Sequence, residues 1–81
     1  MPFTFNVPDW TGTALHITDL WRLRKGRHTS TCSLWTHTTR KAELRCAVDG
    51  EIRQSHAEND GLALVDLAET WKTQFQERGW Q

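Results

Sequence analysis

Apolar and polar positions alternate along most of the first two thirds of the chain and then switch to a helical period. Ala42, Leu44, Cys46 and Val48 alternate with Glu43, Arg45 and Ala47. That is the period-2 signature of a strand buried on one face. Upstream, Leu15, Ile17, Trp21 and Leu23 share one parity, interrupted by Asp19. Between these runs, His28 to Thr36 is rich in Thr, Ser and Trp, residue types that suit a pleated surface. Cys32 and Leu34 point one way there; Thr31, Ser33 and Trp35 point the other.

Punctuation separates the runs. Lys25-Gly26-Arg27 predicts a turn and His37-Thr38-Thr39-Arg40 a second connection. Asp49-Gly50 predicts a hairpin. A two-residue loop would pair Ala47 with Ile52 and turn Ile52 to the face of Glu43 and Arg45. A three-residue loop, with Gly50 as a G1 bulge, would pair Cys46 with Ile52 and keep Ile52 on the apolar side. Register follows the hydrophobic pattern, so the second is expected. The fourth strand then runs from Glu51 to about Ser55, short and polar as suits an edge.

The helical signal follows. Leu64, Leu67, Ala68, Trp71 and Phe75 form one stripe, widened near its start by Leu62 and Val65. Asp60 is placed to cap the N-terminus, and Arg78 sits near the negative end of the dipole. Gly79 fits C′, with Trp80 at C″ able to pack on Phe75 at C3.

Together these elements predict an α+β fold: an antiparallel β-meander of three to four strands, with one C-terminal amphipathic α-helix packed on one sheet face. Residues 1–13, which hold Pro2 and Pro8, form an N-terminal arm, and Phe3, Phe5 and Val7 alternate within it as in a brief edge strand. Residues 14–81 form the single domain. The expected core is Trp21, Leu23, Cys32, Leu34, Leu44, Cys46 and Ile52 from the sheet, with Leu64, Leu67, Ala68, Trp71 and Phe75 from the helix.

Composition narrows the class. With 81 residues there is room for one domain. No run of ~18 apolar residues occurs, so no membrane span is expected. The first residues lack a basic segment and a long apolar stretch, so no secretory signal is expected either. Cys32 and Cys46 are too few for a disulfide scaffold and match no zinc spacing. They are expected as buried, reduced residues in a cytoplasmic protein, with no metal and no cofactor.

Ten basic and ten acidic groups cancel overall, but the cancellation hides a split. Residues 1–46 hold seven basic and three acidic side chains; residues 47–81 hold three basic and seven acidic ones. The halves therefore carry +4 and −4. The basic set Arg22, Arg24, Lys25, Arg27, Arg40, Lys41 and Arg45, with Trp35 among it, is a candidate contact surface for a partner or a nucleic acid.

Enzyme chemistry finds no support. There is no nucleophile elbow, Walker loop, zincin motif or Rossmann glycine pattern. Cys32 and His37 fall on opposite faces by parity, which argues against a nucleophile–base pair. His16, His28, His37 and His56 read as surface or hydrogen-bonded residues.

The run Trp21-Arg22-Leu23-Arg24-Lys25-Gly26, then Thr31-Cys32-Ser33-Leu34-Trp35-Thr36-His37, then Glu43-Leu44-Arg45, Val48-Asp49-Gly50-Glu51 and Trp71-Lys72, resembles a group of small bacterial proteins of unknown function. The likeness spans about residues 20–80 and implies a free-standing cytoplasmic protein. In element order the chain is also similar to plant DNA-binding domains that lay a three-stranded sheet in the major groove; this is fold-level analogy and transfers no residues. The first expectation for function is a non-enzymatic protein-interaction module, self-associating as a homodimer, on the ground of its Trp-rich, two-sided sheet and its complementary charge halves. The alternative is nucleic-acid binding through the basic hairpins and Trp35.

Overall fold

The computed structural model describes residues 14–37 and 41–81. The predicted arm, residues 1–13, lies outside the described residues, as do Thr38, Thr39 and Arg40. Strands β1 (Leu15–Lys25), β2 (His28–Thr36), β3 (Ala42–Val48) and β4 (Glu51–Glu58) are followed by helix α1 (Gly61–Glu77). The strands form one antiparallel sheet in the order β1-β2-β3-β4, a plain meander. The α+β architecture is thus as the pattern predicts.

Two-residue turns close the outer hairpins. Gly26 (φ 61°) supplies the left-handed first position between Lys25 and His28. In the other turn both Asp49 (φ 53°) and Gly50 (φ 86°) are left-handed. That is the type I′ pattern, whose twist matches the strands it joins. It overturns the expected G1-bulge loop: Ala47 faces Ile52, and Val48 faces Glu51. Asp49 holds its conformation through cross-hairpin bonds. Its Oδ1 accepts the Thr29 N–H at 3.0 Å, and its own N–H donates to the Thr29 carbonyl at 2.8 Å.

Consequently Ile52 leaves the core and is 53% exposed on the face of Glu43 and Arg45. The extra residue appears one step further on. The register shifts between Cys46 and Ala47, so that Gln54 faces Cys46 and Arg53 is left without an opposite. Beyond the bulge β4 continues to Glu58, three residues past the expected end at Ser55.

Bulges also settle the interruption in β1. Shifts fall between His16 and Thr18 and between Asp19 and Trp21. The second puts Asp19 opposite Ser33 on the outer face, while Trp21 faces Cys32 on the core side. Leu20, the inserted residue, packs against the core. Leu15 and Ile17, expected to follow the parity of Trp21, are 64% and 52% exposed. The bonds that tie β1 to the helix and the chain end lie at Trp21, Arg24 and Lys25, at the other end of the strand.

The core is Trp21, Leu23, Cys32, Leu44 and Cys46 from the sheet and Leu64, Ala68, Trp71 and Phe75 from the helix. Leu34 and Leu67 are only partly buried. Ser30 is fully buried on the same side, with no hydrogen-bond partner for its hydroxyl. Leu62 and Val65 do not widen the buried stripe; both are exposed. The helix ends behave as read. The Asp60 carboxylate accepts the Leu62 N–H at 2.9 Å. At the other end Gly79 (φ 96°) donates to the Gln76 carbonyl and Trp80 to that of Phe75. That is a Schellman motif, with the Phe75 and Trp80 rings 5.3 Å apart as its apolar contact.

Candidate interaction surface

Helix α1 covers one sheet face. Among the described residues no element packs on the other, which carries the side chains of Arg22, Arg24, Thr31, Ser33, Trp35, Glu43, Arg45 and Ile52. Half the backbone accounts for this placement: alternation along each strand sends every second residue outward.

Trp35 lies on the outer face near the end of β2, opposite His16 and Glu43. The Arg45 guanidinium lies over its ring at 4.3 Å, and His16 meets it edge-on at 5.2 Å. Its indole N–H is buried and without a partner. Arg45 is held in place by Glu43, whose carboxylate accepts from Arg45 Nε at 2.9 Å and from His37 Nε2 at 2.5 Å. Burial acts to raise the Glu43 carboxyl. The hydrogen bonds and charges of His37 and Arg45 outweigh it and hold the group below the usual carboxylate range. An exposed counterpart sits at the hairpin tips. His28 Nδ1 lies 2.6 Å from Asp49. That bond, with the Thr29 N–H, holds the Asp49 carboxyl below its ordinary value.

The eight predicted contact residues do not form one free basic patch. Arg45 is spent on Trp35 and Glu43. Arg22 Nη2 lies 3.4 Å from the Asp19 carboxylate. Lys25 Nζ donates to the Arg78 carbonyl at 2.7 Å, so its charge sits at the negative end of α1. Lys41 is exposed and has a partner of its own. Arg40 lies outside the described residues. Arg24 and Arg27 are exposed and form no ion pair among the described residues. Arg22, Arg24 and Lys25 line a shallow hollow with Gly26, Gly79 and Gln81, where the Gln81 N–H donates to the Arg24 carbonyl at 2.8 Å.

Sequence reasoning missed the acids that organise this surface. Each histidine rests against a carboxylate: His16 on Asp19, His28 on Asp49, His37 on Glu43 and His56 on Glu58. Parity did place Glu43 beside Arg45. The His28–Asp49 contact joins two turns 21 residues apart and leaves no local trace. The helix acids are the opposite case. Asp66, Glu69 and Glu77 are exposed and form no ion pair among the described residues. Among those residues, too, no cluster of His, Cys, Asp and Glu is arranged to hold a metal ion, and no helix is long and apolar enough to cross a membrane. No protein-family model, curated protein or solved structure matches the chain.

Proposed function

We propose that this protein is a non-enzymatic interaction module whose first partner is a second copy of itself. One observation carries the reading. Among the described residues the opposed charges of the two halves are not all paired: Arg24 and Arg27 on the β1–β2 hairpin, and Asp66, Glu69 and Glu77 on α1, form no ion pair there. A two-fold pair can set each copy's basic hairpin against the other's acidic helix, so that both contacts form at once. Exposed Ile52 and the polar outer face offer further area. The setting is cytoplasmic, which the lack of a disulfide framework in the sequence supports.

Sedimentation equilibrium tests this. Self-association should weaken as salt rises, since exposed charges are screened over about 8–10 Å near 0.1 M ionic strength. Arg24→Glu with Arg27→Glu should abolish it, and adding Glu69→Lys should restore part of it. A strict monomer at millimolar concentration and low salt would end the reading.

The same two arginines favour a second reading, nucleic-acid binding at the hairpin. Trp35 supports it less, because Arg45 already occupies one face of the indole. Binding to single strands or duplex that falls steeply with salt, and is lost with Arg24→Glu, would favour this alternative.

A further inference from the structure

Cys32 and Cys46 are direct cross-strand partners, and both are fully buried free thiols. Their pairing type can be worked out. Lys25 and His28 close a two-residue turn, so they form a hydrogen-bonded pair, and alternation makes Leu23–Ser30 and Trp21–Cys32 hydrogen-bonded as well. The main-chain groups of Cys32 therefore point to β1. Thr29 points the other way, its carbonyl accepting from Asp49 N–H at 2.8 Å. Cys32 and Cys46 thus face each other across a non-hydrogen-bonded site, where Cα atoms sit ~4.5 Å apart and side chains come closest. A disulfide spans Cα separations of roughly 4.4–6.8 Å. Both side chains share the core face.

From this geometry we infer that Cys32 and Cys46 are a latent modification site, which a small-molecule disulfide converts to a cross-strand staple between β2 and β3. The proposal goes beyond the interaction reading and does not depend on it. The chemistry is a two-electron exchange. One cysteine thiolate attacks a sulfur of the oxidant, forming a mixed disulfide and releasing one small thiolate. The second cysteine then attacks the protein-bound sulfur, forming the Cys32–Cys46 bond and releasing the second. Two protein thiols are oxidised, one external disulfide is reduced to two thiols, and the two protons pass to solvent or to the released thiolates.

The closed fold withholds the nucleophile. Burial pushes the Cys32 thiol up to about 12, with neighbouring Cys46 adding to the shift, and burial raises Cys46 as well. A hydrogen bond from Gln54 on edge strand β4 opposes the rise at Cys46. Both thiols therefore become reactive only when the β4 side or α1 opens. Opening is the gate, and the staple forms once it occurs.

The test uses the full chain with oxidised glutathione, followed by alkylation and intact mass. The expected product is a monomer lighter by two hydrogens that alkylates at neither cysteine after unfolding. Its thermal midpoint should rise by about 12–24 °C, as a loop of this length implies. Trp21→Phe, which loosens the helix, should speed the reaction several-fold without changing the product. Cys32→Ala should instead trap a single glutathione adduct on Cys46. Two glutathione adducts on the unaltered chain, an intermolecular dimer, or thiols that stay reduced in mild denaturant would each overturn the proposal.

Discussion

The indole N–H of Trp21 donates a 2.8 Å hydrogen bond to the carbonyl of Ala68, joining the first strand to the middle of the helix across 47 positions of sequence. The bond is buried, and the Trp21 ring also packs 5.5 Å from that of Phe75. One side chain thus sets both the height and the rotation of α1 on the sheet. A net hydrogen bond of this kind is worth about 0.5–1.5 kcal/mol, and a smaller ring would also leave part of the indole's buried space unfilled. Trp21→Phe should therefore lower stability by about 1–3 kcal/mol, and Trp21→Ala by about 3–5 kcal/mol. Urea unfolding reads both as a lower midpoint at unchanged slope. A Trp21→Phe protein as stable as the parent would show that the bond is not formed in solution.

The register at Asp49-Gly50 has its own test. Ile52 faces Ala47 on the outer side and is half exposed. Ile52→Asp should cost only about 1 kcal/mol, from strand propensity and a half-buried side chain. In the alternative register, with Ile52 against Cys46, the same change would bury a carboxylate and unfold the domain. Chemical denaturation separates the two outcomes cleanly.

Gly79 ends the helix at a φ of 96°. A methyl group there would meet only the Lys25 side chain, 3.6 Å away, an ordinary contact. The cost of Gly79→Ala is therefore conformational and should be about 1 kcal/mol. The variant should also raise amide exchange at Gly79 and Trp80, whose N–H groups close the Schellman motif.

Stability should fall on both sides of neutrality, for different reasons. At Glu43 the His37 and Arg45 bonds overcome burial, and at Asp49 the His28 and Thr29 bonds dominate; both carboxyls sit below their unfolded values of 4.5 and 3.8. A depressed carboxyl contributes stability that is present above the unfolded value and lost as pH falls through the folded one. Thermal midpoints should thus drop below pH 4.5, and Glu43→Gln with Asp49→Asn should flatten that drop. On the alkaline side the sign reverses. Cys32 rises from 9.0 to about 12 in the fold, so its contribution is intact below pH 9 and is lost as pH climbs toward 12. Cys32→Ala should reduce that alkaline slope, leaving the part that Cys46, also raised by burial, contributes. An acid limb unmoved by the double carboxyl substitution would show that Glu43 and Asp49 are not its source.

Much of this protein was legible in its sequence, and the reason is local. The strands His28–Thr36 and Ala42–Val48 follow from alternation, because side chains on a pleat point to opposite faces whatever lies elsewhere. The helix and both of its ends follow from spacing and from groups within one turn: Asp60 on Leu62, Gly79 on Gln76, Trp80 on Phe75. Wherever the tertiary structure decided otherwise, the deciding contact was distant. Thr29 and His28 hold Asp49 in the left-handed form that sends Ile52 outward. Bulges in β1 and β4 trade local alternation for a fit between whole strands, which is why Asp19 and Gln54 lie where parity would not put them. The charge surface follows the same division. Sequence determined the +4 and −4 halves; the fold decided part of which charges are engaged, because the Arg78 carbonyl at the helix end can reach Lys25 only after the chain has closed.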